Sequence, residues 1–83
     1  MKFPTLHVKA EWDPEAEVWV ATSDDVLGLV AEAQDIESLR EKVEVLIPEL
    51  LEANGRLPQD DGEEIIPYEV ESHREGTIAI PAQ

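Results

Sequence analysis

Residues 18–36 read Val18-Trp19-Val20-Ala21-Thr22-Ser23-Asp24-Asp25-Val26-Leu27-Gly28-Leu29-Val30-Ala31-Glu32-Ala33-Gln34-Asp35-Ile36. Two runs rich in β-formers, Glu17 to Ser23 and Leu29 to Ala33, flank a short acidic connection, Asp24 to Gly28. Asp35 then stands where a helix needs an N-cap, because its carboxylate can accept a backbone N–H of the first turn. Strand, tight connection, strand and capped helix, in that order, point to a helix folded back on a small sheet.

Upstream, Leu6, Val8, Ala10 and Trp12 alternate with Thr5, His7, Lys9 and Glu11. That period of two predicts a strand with one apolar face. Asp13-Pro14-Glu15-Ala16 has Asp and Pro at the first two places of a type I turn, so the first two strands read as an antiparallel hairpin.

Downstream, apolar residues fall at Ile36, Leu39, Val43, Leu46, Ile47, Leu50 and Leu51, one stripe of an amphipathic helix ending near Asn54. Asn54-Gly55 is a stop signal, since Gly takes the left-handed conformation readily. Pro48 inside this pattern predicts a kink near Glu44 to Ile47, or two shorter helices. A polar loop, Pro58 to Gly62, leads to a fourth strand over Glu64 to Ser72, which Pro67 confines to a sheet edge or a bulge. His73 to Gly76 resembles a turn, and Thr77 to Ile80 reads as a last short strand or a tail. The expected fold is α+β, β-β-β-α-β: a three-stranded antiparallel sheet, one or more further C-terminal strands, and one long helix on one face.

The 83 residues make one domain, 1–83. Without cysteine there is no disulfide, thiolate nucleophile or Cys-based zinc site. The start, Met1-Lys2-Phe3-Pro4-Thr5, lacks the apolar run of a signal peptide, and no stretch has the ~20 apolar residues of a membrane span. A cytoplasmic protein is expected. Twenty acidic against six basic residues give a formal charge of −14. Such a surface repels nucleic-acid phosphates and anionic lipid and attracts basic partners.

In Val18-Trp19-Val20-Ala21 and in Leu29-Val30-Ala31 both strand phases are apolar. A sheet with one wet face should alternate cleanly, so a face or edge of this one is expected to be covered by a partner or a second copy.

The run Val18 to Ala21, then Ser23-Asp24-Asp25, then Gly28 to Ala33, resembles the HicB-like antitoxin superfamily. Trp12-Asp13-Pro14-Glu15 and Ile47-Pro48-Glu49-Leu50-Leu51-Glu52-Ala53-Asn54 resemble a short uncharacterised branch of it, and the resemblance spans Val8 to Tyr68. It implies a partial ribonuclease-H-like fold and a role in masking a small basic toxin that cleaves messenger RNA, a HicA-like partner. Typical members also carry a C-terminal DNA-binding segment; nothing in this chain resembles one, so direct nucleic-acid binding is not expected. The partner-binding expectation falls on Val18, Trp19, Val20, Asp24, Asp25, Gly28 and Leu29. The alternative is a stand-alone homo-oligomer with a structural or regulatory role.

Catalytic chemistry finds little support. His7, His73 and Asp24 suggest a metal site only if strand order brings the histidines together, and solvated histidines are the simpler reading. Asp24 and Asp25, with Glu11 and Glu32, would form a nuclease-type magnesium site only if gathered from several strands; a turn pair that caps backbone amides explains the two aspartates better. Ser23, Ser38 and Ser72 lack a nucleophile-elbow setting, and no glycine loop cradles a phosphate. No enzyme activity, cofactor or metal is expected. Trp12 and Trp19 flank the hairpin turn in a register the sequence leaves open: both in the core, or one as an interface anchor.

Overall fold

The structure is a computed structural model and describes residues 4–55 and 65–81. Its elements are β1 (Leu6–Asp13), β2 (Val18–Thr22), β3 (Val30–Ala33), α1 (Ile36–Ala53) and β4 (Tyr68–His73). They form one four-stranded sheet in the order β3-β2-β1-β4, an α+β arrangement. β1 pairs antiparallel with β2, β2 antiparallel with β3, and β4 joins β1 in parallel. A parallel partner needs a crossover connection, and α1 lies in it.

Burial follows the alternation in β1: Leu6, Val8 and Ala10 are buried while His7, Lys9 and Glu11 are exposed. Register carries the same face across the sheet through Ala10↔Ala21↔Ala31 and Trp12↔Trp19↔Ala33. Leu39, Val43, Ile47 and Leu51 of α1, spaced four apart, are buried on that side. Small alanines in three adjacent strands let the helix come close, while Val26 and Leu29 close the core from the β2–β3 connection.

Local chemistry fixes the ends of α1. Asp35 Oδ1 accepts the Ser38 N–H at 2.7 Å, and the Ser38 hydroxyl donates to Asp35 Oδ2 at 3.1 Å. These bonds favour the ionised carboxyl and hold it below the usual Asp range. At the other end Gly55 takes φ +70° and donates to Glu52 O at 3.0 Å. Pro48 lies inside one unbroken 18-residue helix, so the two-helix alternative is excluded.

Four expectations are refined. The hairpin turn is longer than a type I turn over Asp13 to Ala16: Glu17 N–H closes it on Asp13 O at 2.8 Å, with Glu17 in the left-handed region at φ 56°. Asp13 Oδ1 still accepts the N–H groups of Glu15 and Ala16, as its place in the turn predicts. β3, one of the two runs apolar in both phases, stands at a sheet edge. β4 starts at Tyr68, immediately after Pro67, which lacks an N–H but whose carbonyl accepts the Leu6 N–H at 2.9 Å. Residues 74–81 form neither a turn nor a fifth strand. The loop read at Pro58 to Gly62, and residues 1–3, lie outside the described residues.

Candidate interaction surface

One face of the sheet is closed by α1; the other carries the side chains of opposite phase. Register sets them in rows: Asp13 beside Val18; His73, Glu11, Val20 and Glu32; Glu71, Lys9, Thr22 and Val30; and Glu69 beside His7. Val18 and Val20 are half-buried, and Val30 is 64% exposed. Three valines therefore make an apolar strip over β2 and β3, with Asp13, Glu11 and Glu32 around it and a mixed acidic and basic field over β1 and β4.

The loop between β2 and β3 borders this face and is tied down by side chains. β2 ends opposite Lys9, so the backbone of His7 has no strand partner on that side. Ser23 and Asp25 take the strand's place: the Ser23 hydroxyl donates to His7 O at 2.5 Å, and Asp25 Oδ2 accepts the His7 N–H at 2.8 Å. Ser23 Oγ also accepts the N–H groups of Asp25 and Val26, at 3.1 and 3.2 Å. Val26 drops into the core, Leu27 is left 74% exposed, and Asn54 Nδ2 of α1's C-cap donates to Leu27 O at 3.2 Å. Gly28 follows at φ +88°, a conformation that side-chain-bearing residues rarely adopt.

The His7 ring lies between two carboxylates, Nδ1 3.0 Å from Asp25 Oδ2 and Nε2 3.2 Å from Glu69 Oε1. Its pKa is raised, chiefly by the hydrogen bond to Asp25; desolvation opposes the rise, and the charges of Glu69, Asp25 and Glu71 add to it.

The residues expected from the sequence to bind a partner divide among different places. Val18, Val20 and Asp24 stand on or beside the open face. Asp25 is engaged with His7, Gly28 serves the turn, and Leu29 is 3% exposed. Trp19 is on the helix side, directly across from Trp12, with ring centroids 5.5 Å apart and planes at 65°. The Arg74 guanidinium lies 4.1 Å from the centroid of the Trp12 ring. Trp19 packs against the core, and Trp12 meets it edge-on from outside that core. The doubled apolar phase of Leu29-Val30-Ala31 marks Val30 as surface in the sequence, whereas nothing there singles out Leu27.

Neither hypothetical metal site is assembled. His7 pairs with Glu69 and His73 with Glu11, which puts the histidines at opposite ends of the β1–β4 ladder. Among the described residues no group of three or more His, Asp or Glu side chains is placed to hold a metal ion. Also among them, no helix is long and apolar enough to cross a membrane.

Fold and surface together define a small α+β domain with one covered and one open sheet face. The chain belongs to a family described as a domain of unknown function, DUF1902, whose model matches residues 5–75. It is also similar to a solved crystal structure, hypothetical protein TTHA1013 from the extremely thermophilic bacterium Thermus thermophilus. The two are 43% identical, the match covers 93% of this chain and 100% of that one, and the TM-score is 0.66. No curated protein matches the chain.

Proposed function

We propose that this chain is a HicB-like binding module, without catalytic activity, that masks a small basic protein of the RNA-cleaving toxin type. The observation that carries the reading is the open sheet face: Val18, Val20 and Val30 form an apolar strip set among carboxylates, on a chain of formal charge −14. Burial of the valines would supply affinity, and the surrounding acidic groups association rate and specificity against a cationic partner. The resemblance of the Val18 to Ala33 run to HicB-like antitoxins supports the choice of partner class. Asp24, exposed at the border of the face, belongs to the contact; Asp25 holds the loop that presents it.

The test is low-salt affinity capture from the source cell, followed by binding and RNase-inhibition assays with the purified partner. A small basic ribonuclease, released by salt, inhibited by this chain and bound at least tenfold more weakly by the Val20→Glu, Val30→Glu double variant, is expected. Capture of no basic protein, or unaltered affinity of the double variant, rejects the reading.

A further inference from the structure

We propose that two copies of this chain exchange their C-terminal segments, Thr77-Ile78-Ala79-Ile80 of each docking as an added strand on the free edge of β3 in the other. After β4, residues 74–81 run on without secondary structure, and Ile78 and Ile80 are 88% and 83% exposed. Large β-branched residues separated by one position place both side chains on the same side of an extended strand. The segment thus has the pattern of a strand with one apolar face, and among the described residues nothing covers that face.

The β3 edge matches it. β3 is four residues long, as is the Thr77 to Ile80 run, and it ends the sheet on its side. Between β3 and α1 runs an open groove whose apolar lining is Ala31, Val45 and Leu46, with Val45 61% exposed. A strand added to β3 would bring its helix-side residues, Ile78 and Ile80, over that groove. Lys42 Nζ donates to the Glu32 carbonyl at 2.5 Å, the way lysines blunt an unpaired edge, and an N–H of the docked strand would replace it.

Reach and charge select the occupant. β3 and β4 are opposite edges of the sheet, three strand spacings or about 14 Å apart. A strand docked outside β3 lies one spacing further, about 19 Å from β4. Arg74, Glu75 and Gly76 are all that separate β4 from Thr77, so the reach from His73 to Thr77 is about 14 Å at full extension and the segment falls short of the β3 edge of its own chain. Gly76 to Pro81 carries no charge in a chain of net charge −14, so it docks on a second copy without adding like-charge repulsion. The inference concerns a different edge from the valine face and does not depend on the toxin-type partner.

The experiment uses the full chain. Sedimentation equilibrium is expected to give a dimer, and the Ile78→Asp, Ile80→Asp variant a monomer of half the mass with an unchanged far-ultraviolet circular dichroism spectrum. Because the chain has no cysteine, Val45→Cys and Ile78→Cys can be made in separate, differently tagged chains. Mild oxidation of the mixture is expected to join the two tags by a disulfide, which only exchange between copies permits. A monomeric wild-type chain at high micromolar concentration, or a dimer that survives the double Asp variant and yields no mixed disulfide, overturns the proposal.

Discussion

Asp25 Oδ2 accepts the His7 backbone N–H at 2.8 Å and sits 3.0 Å from the Nδ1 of the same residue. One carboxylate thus replaces a missing strand neighbour and engages the ring, while Glu69 engages the other ring nitrogen at 3.2 Å. An ionised carboxylate only accepts hydrogen bonds, so satisfying both contacts requires both ring nitrogens to donate, which is the imidazolium.

The pH dependence follows. The folded pKa of His7 lies above its ordinary value, so its contribution is complete below the unfolded pKa of about 6.5 and is lost as pH rises through the folded pKa. The difference in melting temperature between wild type and His7→Gln should shrink from about pH 6 to about pH 8. An NMR titration should place the His7 pKa above that of Asp25→Asn. Equal pKa values in the two proteins would disprove the coupling.

Ser23→Ala removes one donor to His7 O and the acceptor for two backbone N–H groups. The expected cost is about 1–3 kcal/mol, read from urea denaturation. Hydrogen exchange should quicken most at the Asp25 and Val26 amides; uniform acceleration across the domain would instead indicate a global effect.

Asp24 and Asp25 are adjacent but not equivalent. Asp24→Lys should weaken binding of a basic partner with the fold intact, whereas Asp25→Lys should lower the melting temperature even without a partner. Thermal melts of the two single variants separate the roles, and matching melts would contradict the assignment.

Leu39 is 1% exposed on the first buried turn of α1. Leu39→Ala should cost about 2–5 kcal/mol, a large share of the stability of a domain this small. Equilibrium unfolding in urea measures it.

Most of the architecture was legible from residue pattern. The alternation of Leu6, Val8 and Ala10 against His7, Lys9 and Glu11 fixed which side of β1 faces the core, and the four-residue spacing of Leu39, Val43, Ile47 and Leu51 fixed the buried stripe of α1. Pro67 correctly confined β4 to an edge. The pairing of β4 with β1 in parallel was not legible, since register between distant segments is set by packing that no local pattern encodes. For the same reason the facing of Trp12 and Trp19 waited on the structure. The surface was partly readable: doubled apolar phases marked Val18, Val20 and Val30, but the run Asp24-Asp25 gave no sign that its second carboxylate closes the end of β1. Gly28 and Leu29 read as contact residues because their neighbours do; one makes a turn and the other fills the core.

The parallel β1–β4 ladder has a mechanical consequence. Tension applied at residues 6 and 73 pulls the two adjacent strands in opposite directions along their length, so the ladder bonds from Leu6↔Tyr68 to Glu11↔His73 bear load together. The antiparallel β1–β2 hairpin, pulled from residues 6 and 22, would open one pair at a time. Single-molecule force spectroscopy should therefore find a markedly higher rupture force for the first geometry than for the second.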